Sequence, residues 1–213
     1  MVIRAFPPLT ETDENGLLAI GGDVEIESLL LAYRNGIFPW PFNEEFIAWF
    51  SPERRAILDL ETFKVSRTLR KDLKKAGYEI TYDQEFRSVV ESCAELKNRK
   101  GQSGTWIIPE MVEGYVAFHD AGYAHSVETW KDGKLVGGLY GIRIENFFAG
   151  ESMFYRAPNA SKAALVALVE KLKAEGVKWI DCQVMNPFFE SLGAKEISRK
   201  EYLVLLKKAL SIK

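Results

Sequence analysis

Histidine and cysteine are both scarce in this chain, with two of each in 213 residues. The histidines, His119 and His125, have no Cys or His partner at ligand spacing, so no zinc or other metal site is expected. Cys93 and Cys182 form neither a CxxC motif nor a disulfide framework, which suits a reducing compartment. No GxxxxGK[ST] or GxGxxG run is present, which removes the common phosphate-cradling loops. Gly150-Glu-Ser-Met-Phe154 imitates half of a nucleophile elbow but lacks the last glycine. No histidine follows it, so a hydrolase triad in the usual order is excluded. No apolar run approaches the roughly 20 residues of a membrane helix. Residues 1–15 lack the basic and apolar blocks of a signal peptide. A cytoplasmic protein with no membrane partner is the expectation.

What is present is the balance of an ordinary globular protein, 47% hydrophobic and 27% charged, enough to close a core without staples. The net charge is −2, so any nucleic-acid contact needs a local basic patch. One candidate is a helix expected over residues 66–76. Val65, Leu69 and Leu73 mark its apolar side, while Arg67, Arg70, Lys71, Lys74 and Lys75 stand against one acid, Asp72. A solvated surface helix and a phosphate-contacting face both fit that pattern.

The first sixty residues are rich in turn signals, interrupted by one helix. Asp23 can cap it, Ile26, Leu29, Leu30 and Tyr33 give its apolar stripe, and Gly36 ends it. Beyond the basic helix come a strand at 78–82 and a helix capped by Asp83, with Phe86, Val89, Val90 and Cys93 on its core side. Pro109 opens a further helix that ends at Gly122. Strands follow at 125–130, 135–144 and 147–155, the first two joined by a hairpin turn at 131–134. A helix capped by Asn159 or Ser161 carries Leu165, Leu168, Val169 and Leu172 and closes at Gly176. A strand at 178–184 succeeds it, and Ser198 with Glu201 makes a capping box for the last helix.

Three meandering strands, then helix, strand and helix, predict an α+β fold. The crossover helix makes the strand ending at Tyr155 and the strand of Asp181 parallel neighbours. This is the layout of the GNAT acyltransferases, which raises coenzyme A as a donor. Their pyrophosphate loop, [RQ]-x-x-G-x-[GA], aligns with Arg156-Ala-Pro-Asn-Ala-Ser161. Asn159 and Ser161 replace the small residues and Pro158 removes an N–H donor, which argues against coenzyme A.

The positive signal is polar residues on core strands. In Ile180-Asp-Cys-Gln-Val184, Asp181 and Gln183 share one sheet face and Cys182 takes the other. A carboxylate in a buried strand is costly unless it has a partner or a task. Glu151 lies amid apolar residues in the neighbouring strand. A satisfied buried hydrogen-bond network is the plain alternative to a catalytic site.

Ten stretches, in order along nearly the whole chain, carry a resemblance. They are Gly16-Leu-Leu-Ala-Ile-Gly-Gly-Asp23, Gly36-Ile-Phe-Pro-Trp40, Val65-Ser-Arg-Thr-Leu-Arg70, Gly104-Thr-Trp-Ile107, Ala124-His-Ser-Val-Glu128, Leu135-Val-Gly-Gly-Leu-Tyr-Gly141, Gly150-Glu-Ser-Met-Phe154, Asn159-Ala-Ser-Lys162, Ile180-Asp-Cys-Gln-Val184 and Ser191-Leu-Gly-Ala194. The sequence resembles the leucyl/phenylalanyl-tRNA–protein transferase family. The resemblance implies a small N-terminal domain, residues 1–62, joined to a GNAT-like catalytic domain, residues 63–213, built on a mixed sheet with a crossover helix. It implies transfer of Leu or Phe, less readily Met, from aminoacyl-tRNA to acceptor proteins with N-terminal Arg or Lys, marking them for N-degron degradation. No cofactor and no ATP are implied. A related tRNA-dependent, peptide-bond-forming transferase with a different amine acceptor is the alternative, and an idle tRNA- or degron-binding module a further one.

By the same resemblance Asp181 and Gln183 form a proton relay, or position the reactants while the tRNA hydroxyl moves the proton. Asn186, or its backbone N–H, would steady the oxyanion, and Glu151 with Asp181 would attract the cationic acceptor. Leu139, Phe148, Met153, Leu165, Leu168, Leu172 and Ile180 would line the pocket for the donated side chain. Trp40 and Trp106 would stack on the terminal adenosine, and Arg67, Arg70, Lys71, Lys74 and Lys75 would contact the acceptor stem. Departures from the family pattern fall at Pro41-Phe-Asn-Glu-Glu45, at Trp49-Phe50 and at Phe188, where a histidine is common.

Overall fold

The computed structural model describes residues 2–41, 46–95 and 107–211. The N-terminal region supplies β1 (Leu17–Ile20), α1 (Ile26–Arg34), β2 (Phe38–Pro39) and β3 (Ala48–Phe50). β3 lies between β1 and β2, antiparallel to both, in a three-stranded sheet. Next come β4 (Arg54–Asp59), the basic helix α2 (Arg67–Ala76), β5 (Glu79–Tyr82), α3 (Phe86–Ala94) and α4 (Pro109–Asp120). The meander follows as β6 (Ala124–Lys131), β7 (Lys134–Ile144) and β8 (Phe147–Tyr155). The chain then crosses over through α5 (Ala160–Ala174) to β9 (Trp179–Gln183), and finishes with α6 (Pro187–Ser191), β10 (Lys195–Ser198) and α7 (Arg199–Ala209).

Seven strands form the large sheet in the order β10-β4-β9-β8-β7-β6-β5. Among the described residues its one parallel contact is β8 with β9, paired at Ala149 and Asp181, as the crossover requires. Strand β4 pairs antiparallel with both β9 and β10, so residues 54–59 belong to this sheet although they precede residue 62. A short excursion thus leaves the N-terminal region and enters the large sheet.

The sheet divides the apolar residues between two faces, as the period of two demands. On one face Tyr140, Ile142, Phe147 and Phe154 pack with α1, α3, α4 and α7. On the other, Leu139, Phe148 and Ile180 pack with Leu165, Leu168 and Leu172 of α5. Gly137 fixes the start of that helix: a Cβ there would stand 2.6 Å from Ala160 Cβ. Thr129 Oγ1 also donates to Ala160 O at 2.9 Å, tying α5 to β6.

Two expected helix caps are corrected. Asp23 does not cap α1, whose N-cap is Glu25; its carboxylate accepts from Ser28 Oγ at 2.6 Å and Glu25 N at 3.2 Å. Asp83 does not cap α3, whose N-cap is Glu85. It reaches across to β6 instead, accepting from Ser126 N at 2.8 Å and meeting His125 Nδ1 at 2.8 Å. A short acidic side chain satisfies whichever donors come within reach, and here a neighbouring strand supplies them. Asn159 is the N-cap of α5, in the left-handed region and with no side-chain cap bond, while Ser198 and Glu201 do form the capping box of α7. Among the described residues no helix is long and apolar enough to cross a membrane.

Candidate active site

Asp181 is fully buried at the middle of β9, a position that demands a countercharge. Arg55 of β4, itself 1% exposed, supplies it. Arg55 Nε donates to Asp181 Oδ1 at 2.9 Å and Nη2 to Oδ2 at 2.6 Å, a bidentate fork. Tyr202 of α7 donates its hydroxyl to Oδ2 at 2.8 Å, and the backbone N–H of Gln183 donates to Oδ1 at 2.9 Å. Both carboxylate oxygens are therefore held twice. Burial alone would depress the Arg55 pKa, yet Asp181 and Tyr202 beside it hold it above the ordinary guanidinium value.

Gln183 follows in a left-handed backbone conformation, φ 54°, next to a register shift between β4 and β9. That conformation costs a non-glycine residue about 1–2 kcal/mol. The bond from its N–H to Asp181 helps hold the turn, and strain of this kind gathers at working sites. The turn carries the Gln183 side chain to β8, where Nε2 donates to Glu151 Oε1 at 3.2 Å.

Glu151 is partly buried and its second oxygen accepts from the Tyr115 hydroxyl at 3.1 Å. Tyr115 in turn meets Tyr33 Oη at 3.1 Å, so α1 and α4 each add a phenol to the chain. Burial pushes the Glu151 carboxyl up to about 7, assisted by the charge of Asp181 and opposed by the hydroxyls of Tyr33 and Tyr115 and by Arg55. Burial, and the nearby Glu151 charge, raise both phenols well above their usual range, so they remain hydroxyl donors.

The three central residues expected from the sequence, Asp181, Gln183 and Glu151, thus lie together. Their contacts differ from a relay in which Asp181 polarises the Gln183 carboxamide: Asp181 holds the backbone of Gln183, and Glu151 holds its side chain. Asp181 is also no open anchor for a cation, since Arg55 occupies it. Asn186 is exposed and is the N-cap of α6, its Oδ1 accepting from Phe189 N at 2.9 Å. Arg55, Tyr202, Tyr33 and Tyr115 were not anticipated. The cost of burying Asp181 signals that some cation must meet it, but not which of the chain's 28 Lys and Arg residues.

The seven apolar residues expected as a pocket do gather in one cluster, on the α5 side of the sheet. The carboxylates face the opposite side, among Tyr33, Tyr115, Tyr140 and Tyr202. Six of the seven are buried; Met153 is partly buried at the margin, with Met185 and Phe188. Glu151 is the unpaired residue at the register shift between β7 and β8, and Met153, two residues on, belongs to the α5-side cluster. Two surface grooves lie elsewhere and include none of the seven. Cys182 packs in the same cluster, and burial pushes its thiol far up, leaving it inert. Cys93 is likewise core.

Trp40 is 37% exposed, its edge against Phe50 with ring centroids 6.1 Å apart. Its backbone N donates to Ala48 O at 2.7 Å, which anchors the turn 36–40 on β3. Trp106 lies outside the described residues. On α2, Ser66 caps the helix through Leu69 N, and Arg67, Arg70, Lys71, Lys74 and Lys75 are all exposed. Among the described residues none of these five is in an ion pair.

Comparison with known proteins agrees with this architecture. The family model for leucyl/phenylalanyl-tRNA protein transferase matches residues 57–207, and that for the N-terminal domain of the same family matches residues 22–53. The leucyl/phenylalanyl-tRNA–protein transferase of Flavobacterium johnsoniae is 50% identical over 203 residues, covering 95% of this chain and 95% of its own. That of Colwellia psychrerythraea is 49% identical over 204 residues, covering 92% of this chain and 84% of its own. Among solved structures, FemX superposes with a TM-score of 0.53 at 11% identity, over 81% of this chain and 66% of its own, a likeness of fold that agrees with the expected GNAT-like α+β layout. The family model over residues 57–207 and relatives at half identity cover the strands that carry the buried acids, and the N-terminal model covers α1 and the small sheet strands β2 and β3, so this chain belongs to the leucyl/phenylalanyl-tRNA protein transferase family and is an aminoacyltransferase.

Proposed function

We propose that the enzyme transfers Leu or Phe, and less readily Met, from aminoacyl-tRNA to the N-terminal Arg or Lys of acceptor proteins in the cytoplasm, marking them for N-degron degradation. One observation carries the acceptor side of this reading. Glu151 stands beside Gln183 with no ion-pair partner among the described residues, while its neighbour Asp181 is already neutralised by Arg55. An incoming cationic N-terminus supplies the missing charge.

In the reaction the acceptor's α-amine forms a C–N bond to the ester carbonyl, the C–O bond to the tRNA breaks, and the amine proton ends on the departing tRNA hydroxyl. Because Gln183 gives Nε2 to Glu151, its Oε1 is left to accept from the attacking amine and orient it. Glu151 takes the proton directly, or steadies the ammonium until the tRNA hydroxyl receives it. Exchanging an ester for an amide is downhill, so no ATP is needed.

The donor end divides among three surfaces. The exposed ring of Trp40 stacks on the terminal adenosine, worth roughly 1–3 kcal/mol. The donated side chain enters between Met153 and Met185 toward Leu139, Phe148 and Ile180, with Leu165, Leu168 and Leu172 as the far wall. The five cations of α2 meet acceptor-stem phosphates.

The test is incubation of labelled Leu-tRNA with a peptide beginning with Arg, without ATP. Label at the peptide's N-terminus is the expected result. Label passing to small amines but never to that peptide would favour a different acceptor and overturn the assignment.

A further inference from the structure

One guanidinium touches both halves of the proposed site. Besides its fork on Asp181, Arg55 donates Nη1 to Gly36 O at 3.1 Å. Its guanidinium carbon lies 4.6 Å from the Phe38 ring centroid and 4.5 Å from that of Tyr202, a sandwich between two π faces. Gly36 and Phe38 belong to the turn that presents Trp40, and Asp181 holds the strained end of β9 that presents Gln183. The turn has no slack against α7: Gly36 has φ 74°, and a Cβ there would stand 2.9 Å from Tyr202 Cε1.

We infer that Arg55 is a positioning residue that sets the separation between the Trp40 turn and Gln183, and so aligns the tRNA end with the group that orients the amine. Granted the aminoacyl transfer proposed above, adenosine stacking and amine orientation are then coupled through a side chain that touches neither reactant. Lysine keeps the charge of Arg55 but cannot fork onto Asp181 while also reaching Gly36 O. The Tyr202 hydroxyl donates to Asp181 at 2.8 Å, accepts a longer 3.4 Å bond from Arg55 Nη2 and makes none to the Gly36 carbonyl, so its loss falls chiefly on the Gln183 half.

The experiment uses the full chain, the leucyl 3′-ester of adenosine as donor and an Arg-starting peptide as acceptor. Arg55→Lys is expected to raise the donor KM about fivefold and lower kcat about tenfold. In a Trp40→Leu background its effect on KM should shrink below about twofold, while the kcat loss persists. Tyr202→Phe should lower kcat about threefold with KM held within about twofold. A KM factor for Arg55→Lys that is the same in both backgrounds overturns the coupling, because general loosening of the fold would act equally on each.

Hydrogen exchange at the Gln183 amide provides a readout free of catalysis. It should quicken about tenfold or more in Arg55→Lys and in Tyr202→Phe, while the Tyr140 amide in the middle of β7 keeps its rate. If the wild-type chain transfers nothing, the proposed function fails, and exchange at Gln183 still decides the role of Arg55: an unchanged rate in both variants removes it.

Discussion

Gln183 Nε2 and Glu151 Oε1 lie 3.2 Å apart, one at the end of β9 and the other on β8, so the pair bridges the two parallel strands past their point of pairing. Among the described residues the carboxylate has no cation of its own, and burial pushes it up to about 7, which leads to a pH prediction with two readouts. Transfer should rise as pH passes through about 7, because only the ionised acid attracts the cationic acceptor. Stability should run the other way. A carboxyl whose folded pKa exceeds its unfolded value binds more protons in the folded state, so its contribution is present below about 4.5 and lost as pH rises through about 7. Glu151→Gln should therefore gain stability on the parent as pH climbs through that window, by about 3 kcal/mol at the very most. It should also lose transfer about a hundredfold and show no inflection near 7. Denaturant melts and pH–rate profiles of both proteins check this; parallel stability curves would sink it.

The buried Arg55–Asp181 pair gives a sharper stability test. Removing one partner strands the other charge, which costs about 3–5 kcal/mol. Asp181→Asn keeps an oxygen for the Gln183 N–H but leaves Arg55 without its countercharge. Its melting temperature should fall by roughly 6–20 °C for a chain of this size. Adding Arg55→Met should recover most of that loss without restoring transfer. Calorimetry beside the transfer assay separates the two effects, and a double variant no more stable than the single one would be the contrary result.

Much of this site is written locally in the chain. The turn at Glu145-Asn146 located β8 at its observed bounds, and the two acids amid apolar strand residues marked the buried cluster. What the sequence could not show is who meets them. Arg55 lies 126 positions from Asp181 and Glu151 is 36 from Tyr115, and no local periodicity encodes contacts of that span. Tyr33 read as one more apolar position of α1, although its hydroxyl ends a polar chain. Asp23 and Asp83 have the residue type of helix caps, and only the packed strands and loops reveal other donors nearer to them. The division of the apolar residues from the acids by the sheet itself is also a tertiary fact, invisible to spacing along one strand.

The open face of α2 makes tRNA binding salt-dependent. Its cations are exposed and free of ion pairs among the described residues, so each can neutralise a phosphate and release counterions. Replacing Arg70, Lys71 and Lys74 together by Gln should weaken binding of any tRNA to a similar degree. It should also flatten the slope of log K against log salt by about 0.9 for each phosphate that is no longer neutralised. Fluorescence titrations at several salt concentrations measure this. An unaltered slope would mean that the helix is merely a solvated surface.

Whether the α5-side cluster is a pocket or only core can be decided at Leu168, which is buried on α5 against the sheet. In a plain core Leu168→Ala leaves a cavity and costs about 2–5 kcal/mol, with no reason to prefer one donor over another. If the cluster also receives the donated side chain, the same cavity enlarges the pocket and favours the bulkier phenylalanyl group. One methylene of fit is worth about 1–3 kcal/mol, so the ratio of kcat/KM for Phe-tRNA to that for Leu-tRNA should rise roughly tenfold. Competition between the two charged tRNAs measures that ratio independently of how much folded enzyme survives. A destabilised variant with an unchanged ratio would assign Leu168 to the core alone and move the pocket to the Met153 and Met185 margin.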